Sequence, residues 1–156
     1  MSNLNFLPAQ QVSTCQLDLQ AKVQSIAEFA NKTLFVLDDN ELLDKIKGAK
    51  FPAAGIVYEG MRALPESGQS KIGITAELVF SILVVSRAEN LANSDQKTPL
   101  LNLLDGLRNA IATTRAPTGH HWKFVVEAGT KESNGAVFWV QRWSTILNIV
   151  TNGGHR

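Results

Sequence analysis

The chain has 156 residues and a single cysteine, Cys15. A lone thiol can form neither an internal disulfide nor a Cys-x-x-Cys metal or redox site, so a reduced, cytoplasmic setting is expected. Charge of one sign is also lacking. Fifteen Lys and Arg face fourteen Asp and Glu, a net charge of +1. That balance argues against a dedicated nucleic-acid binder, which needs a surplus of cations on one face to neutralise phosphates. A local basic patch stays open. Long apolar runs are absent too: Leu78–Val85 is broken by Ser81 and closed by Glu77 and Ser86–Arg87, far short of the roughly 20 residues of a membrane span. Met1–Gln11 has no basic stretch followed by an apolar one, so no signal peptide and no membrane partner are expected. Neither Gly-x-Gly-x-x-Gly nor a Gly-x-x-x-x-Gly-Lys-Ser/Thr loop occurs, which removes the known phosphate cradles.

What is present suits a globular protein. Hydrophobic residues make up 44% and charged residues 19%, a balance that excludes a disordered chain. The length supports one domain burying about 70% of the surface its unfolded chain would expose. No internal repeat appears, so residues 1–150 read as one domain and 151–156, with Gly153-Gly154, as a disordered tail.

Hydrophobic periodicity predicts a helix over Ser13–Ala30, carried by Leu19, Val23, Ile26, Ala27 and Ala30. Thr33–Leu37 reads as a short buried strand. A short helix over Asp38–Lys47 follows, opened by an Asp-x-x-Glu capping box and stopped by Gly48. Ala54–Glu59 is a strand, Pro65–Lys71 a polar loop, and Ile72–Arg87 a long strand. In that long strand Ile74, Ala76, Leu78, Phe80, Ile82 and Val84 form one apolar face. The other face, Thr75, Glu77, Val79, Ser81, Leu83 and Val85, is polar at one end and apolar at the other, so it is core over half its length. A second polar loop, Glu89–Thr98, leads to a helix over Pro99–Thr113 with Thr98 as N-cap. Two strands, His121–Ala128 and Gly135–Ile146, close the domain, joined by Gly129–Asn134 with an Asn134-Gly135 turn. The expected fold is α+β: a single mixed, largely antiparallel sheet with helices packed mainly on one face.

The catalytic inventory is thin. His120 and His121 are neighbours on a strand start and point to opposite sides, so they do not share a metal. Asp38, Asp39, Glu41 and Asp44 are explained by helix capping rather than by a cation loop. Glu59, Glu77 and Glu127 lie on or beside strands, but no Asp/Glu-x-Lys element accompanies them at a strand end, which disfavours a metal-dependent nuclease. Cys15 has no necessary activating base. No catalytic residue, metal or cofactor is assigned, and the expectation is a protein that is not an enzyme.

The last strand is the informative feature. Ala136, Phe138, Val140, Arg142, Ser144 and Ile146 share one face, and Val137, Trp139, Gln141, Trp143 and Thr145 the other, so both faces carry large side chains. Either loops or the segment Leu4-Asn5-Phe6-Leu7 covers the second face, or a neighbouring copy or partner does. Trp and Arg are enriched at interface centres, and Phe138, Trp139, Arg142 and Trp143 are therefore the candidate interface residues.

The run LVFSILVVSRAEN, a loop, PLLNLLDGLRNAI, GHHWKFVVEAG, an Asn-Gly hairpin and GAVFWVQRWST resembles the phage tail-terminator proteins of the minor tail protein U type, nearest those of Mu-like phages and prophages. The resemblance spans residues 74–146; before it, only the order of elements agrees. It implies a mixed sheet flanked by helices and a ring homo-oligomer, usually a hexamer, at the head-proximal end of the virion tail, assembled in the host cytoplasm. Such a ring terminates polymerisation of the tail tube and takes part in head-tail joining. The implied partners are further copies of the chain, the major tail tube protein and a head-tail connector or head-completion protein, with passive contact to DNA in the lumen. By that analogy Glu66, Ser67, Gly68 and Gln69 in the first polar loop, and Asn90, Asn93 and Asp95 in the second, are candidates for docking. The alternatives are another neck or tail completion protein, a small metal-dependent enzyme, or a monomeric binding module using the aromatic strand.

Overall fold

The computed structural model describes residues 8–45, 51–64, 73–87, 94–133 and 136–150. In chain order these form α1 (Pro8–Gln24), a 3-10 turn (Ala27–Phe29), β1 (Thr33–Phe35), α2 (Asp39–Lys45), β2 (Ala53–Ala63), β3 (Gly73–Arg87), α3 (Ser94–Ile111), β4 (Lys123–Ser133) and β5 (Ala136–Val150). The strands make one mixed sheet in the order β1-β2-β3-β5-β4. β1 runs parallel to β2 and every other pair is antiparallel. The α+β class and the sequence of elements are as expected.

Some boundaries differ for physical reasons. α1 begins at Pro8, because proline is tolerated in a first helical turn, where its missing N–H would have no partner. The helix stops at Gln24 because Ile26 is extended, with φ −88° and ψ 121°. α3 begins at Ser94 and contains Pro99, so the backbone of Asp95 is helical rather than part of a loop. Ser and Asp are favoured at helix starts, and a proline one turn further in costs one backbone hydrogen bond without ending the helix. β4 continues through Gly129 to Ser133, where a loop was expected; the Trp139 ring lies beside Gly129, so that a Cβ built there would stand 3.2 Å from it. An indole laid across a glycine on the neighbouring strand fills the gap that the missing side chain leaves. β2 is longer than expected and carries a bulge at Tyr58/Gly60, with Gly60 at φ 126°.

The main core lies between the first face of the sheet and the pair α1 and α3. Cys15, Leu19 and Val23 of α1 and Leu100, Leu104, Leu107 and Ile111 of α3 cluster with Ile56, Leu78, Phe80, Ile82, Val84 and Trp143. The second face behaves as the β3 pattern predicted. At its apolar end Val36, Leu42, Ala53, Val57, Val85, Ala136 and Phe138 form a second cluster, with α2 as the covering element. α2 therefore packs on the face opposite the other two helices. It comes close enough that a Cβ on Gly55 would stand 2.7 Å from Val36 Cγ2 and 3.3 Å from Leu42. The Asp38 carboxylate caps α2 by accepting from the Glu41 N–H at 2.9 Å.

Candidate interaction surface

The polar end of the second face is open. There an open pocket of about 420 Å³ is lined by Glu59, Gly60, Met61, Arg62, Glu77, Val79, Val125 and Arg142. The strand pattern explains it: beyond Ser81 the outward residues of β3 are Val79, Glu77 and Thr75, and α2 does not reach them. Two ion pairs furnish the pocket. Arg62 donates to Glu77 at 2.8 Å, and Glu59 accepts from Ser81 Oγ at 2.6 Å while lying 4.0 Å from Arg142. Burial pushes the Glu77 carboxyl up. Hydrogen bonds from Arg62 and Ser144, with the charges of Arg62 and Lys123, more than offset this and hold it below the usual carboxylate range. It therefore stays ionised, and its contribution to stability is present above the ordinary glutamate range and lost as pH falls through the lowered value. Two cations and two carboxylates on the walls leave the pocket without a dominant sign of charge.

On the first face Glu127 belongs to a different network. It accepts from Arg108 of α3 and, at 2.7 Å, from Gln141 Nε2; the same nitrogen reaches the Leu104 carbonyl at 2.9 Å. Trp143 Nε1 donates to Gln141 Oε1 at 3.3 Å. The three strand glutamates are thus split between two faces, each beside a cation. His120 and His121 are exposed, with His121 bridged by its backbone to Arg115. Among the described residues no group of three or more His, Cys, Asp or Glu is placed to hold a metal ion. No described helix is long and apolar enough to cross a membrane.

Phe138 and Trp143, expected at an interface, are covered by the chain itself, at 1% and 0% exposure. The reason is that α2 sits over the Phe138 end while Phe124 packs edge-on against Trp143, ring centroids 5.2 Å apart. Trp139 is half-buried against the main core and lies over Gly129. Of the four, Arg142 is on the surface, at the rim of the pocket. Glu66, Ser67, Gly68, Gln69, Asn90 and Asn93, the side chain of Asp95, the segment 4–7 and the tail 151–156 lie outside the described residues.

The exposed apolar surface lies mostly at the margins of the sheet. Five of the eight exposed large hydrophobic side chains among the described residues are Phe124, Val125 and Val126 on β4 and Phe35 and Leu37 at the end of β1. β4 and β1 are the two margins of the sheet. The signal for β4 in the sequence was Phe124-Val125-Val126 itself, three successive apolar residues in a strand without alternation. A register shift between Phe124 and Val126 leaves Val125 without a pair, with Phe124 beside Trp143 on the first face and Val126 beside Arg142 on the second. No protein-family model and no curated protein matches the chain.

Proposed function

We propose that this chain is a virion structural protein of the tail-terminator type. Copies assemble side by side into a ring at the head-proximal end of a phage tail, stop the addition of tail tube protein and offer a surface to the head-completion proteins. The observation that carries the reading is the run from residue 74 to 146, whose family-like segments supply β3, α3, β4 and β5. Three of these are adjacent strands and the fourth lies across their first face. A mixed sheet flanked by helices is the architecture that the resemblance implies. Apolar side chains on both margins of one sheet suit a protein whose copies meet laterally. DNA passing through such a ring would touch it without being read.

The test is the native mass of the full chain across a concentration series, alone and with the major tail tube protein, combined with negative-stain imaging. A closed ring is expected; six 17.0 kDa chains would give about 102 kDa. A chain that stays at 17.0 kDa in every condition and leaves tube length unchanged overturns the reading.

A further inference from the structure

The two exposed apolar patches lie on opposite margins of the sheet, and the register puts them within two rows of each other. Phe35 stands in a row with Ile56, Ile82, Gln141 and Glu127, and Tyr58 in the next row but one with Phe80, Trp143 and Phe124. β1 ends at Phe35, one row short of the row of Val126 and two short of that of Phe124, and Leu37 follows in the bend after it. Four strand spacings, about 19 Å, separate the margins. Their exposed charges differ: cations lie beside the β4 patch, whereas the β1 patch has more carboxylates than cations, Lys32 and Lys45 being the cations beside it. Beside the β4 patch, Lys123 and Arg115 are exposed. Beside the β1 patch, Asp38 and Asp44 are exposed, and Glu41 pairs with Lys45.

Resting on the ring-forming reading, we infer that copies join head to tail, with Phe124, Val125, Val126 and Lys123 of one copy against Phe35, Leu37 and Asp38 of the next. Two different patches on opposite sides of a subunit form a heterologous contact, and repeating it closes a ring. Apolar burial supplies the attraction, and the Lys123–Asp38 complementarity sets the direction and disfavours like margins meeting. The joint is made by side chains rather than by strand addition. In β1, Lys32 O and Val36 N face β2, so Thr33 and Phe35 turn their backbone groups outward. Their carbonyls are already taken, by Gln20 Nε2 at 3.3 Å and Lys45 Nζ at 3.4 Å. β1 is thus an edge whose outward carbonyls are occupied, which disfavours the addition of a second strand.

The experiment uses full chains carrying Leu37→Asp or Val125→Asp, both at exposed positions, with circular dichroism to verify folding. Each variant alone should lose the ring, its assembly concentration rising by roughly tenfold or more. Mixed together, the two should form a species of two chains, twice 17.0 kDa, and nothing larger, because only one intact pair of patches remains. Asp38→Lys and Lys123→Glu should each weaken assembly, and combining them in one chain should restore it. If the wild type forms a ring and both apolar variants keep it, the head-to-tail contact is wrong while the ring reading stands. The contact is equally excluded if each variant dimerises alone, which marks like-to-like contacts, or if the mixture stays at the mass of one chain. A wild type that never assembles, with or without tube protein, overturns both.

Discussion

Cys15 illustrates how one buried atom acquires a measurable property. Its thiol is fully enclosed in the main core, and burial, with the nearby Asp18 charge, pushes its pKa up to about 12, against a hydrogen bond from the Thr118 backbone that lowers it. A thiol this reluctant to ionise is inert, so maleimide or disulfide reagents should label the native chain only at the rate of unfolding. The sign for stability follows from the raised value. The contribution of Cys15 is complete below pH 9 and is lost as pH rises from there toward 12, by about 1.4 kcal/mol per pH unit. Urea midpoints of the wild type and Cys15→Ala should therefore converge above pH 9, and a constant gap up to pH 11 would refute this. Two glycines make a matched pair. Gly55→Ala drives a methyl to 2.7 Å from a branched Val36 carbon under α2 and should cost about 1–3 kcal/mol. Gly106→Ala places its methyl 3.5 Å from Ile26 Cδ1, an ordinary contact inside α3, and should stabilise by about 1 kcal/mol. Chemical denaturation of both variants checks the signs. The need for glycine at 55 was not legible, because it arises from a helix and a strand that are distant in the chain.

Among the elements, α3 and the β4–β5 hairpin depend on each other through Gln141. Gln141 shares its face of β5 with Trp139 and Trp143, and the structure shows that α3 covers this face, where a polar side chain needs partners. The amide joins the Leu104 carbonyl of α3, the Glu127 carboxylate of β4 and the Trp143 indole. A second tie, Trp122 Nε1 to Asp18 at 2.8 Å, fastens the turn before β4 to α1. Gln141→Leu keeps the volume but leaves the Trp143 N–H buried without a partner and removes one donor each from the Leu104 carbonyl and the Glu127 carboxylate. It should cost about 1–3 kcal/mol, and hydrogen exchange should quicken in α3 and β4 more than in β2. Equal exchange throughout would show that the network does not join these elements. The β3 pattern, apolar on one side and half apolar on the other, was fully readable and correctly described both faces. The helix and strand limits were less so, since a proline in the second turn of α3 costs one backbone bond without ending the helix, and the Trp139 ring lies beside the glycine inside β4.

At the level of the folded chain, surface rather than core separates the functional readings. The ring reading and the head-to-tail joint both need apolar groups facing outward on two sides, which is where Phe35, Leu37, Phe124, Val125 and Val126 are found. Native mass of the wild type tests the first, and the mixed Leu37→Asp and Val125→Asp chains test the second. The aromatic strand was the natural candidate from sequence because Trp and Arg are common at interfaces, yet its largest side chains fill the interior. Periodicity reports whether a residue is in contact with apolar neighbours; it does not say whether those neighbours belong to the same chain. Local spacing and residue type were enough to set the kinds and order of the elements, the apolar stripes of the helices and the half-buried second face of β3. They did not place β5 inside the sheet, leave β4 and β1 as its margins, or carry α2 across to the second face. Those features come from folding in three dimensions, because strand order rests on pairings between segments far apart in the chain, and no local pattern encodes which strand is left with an open side.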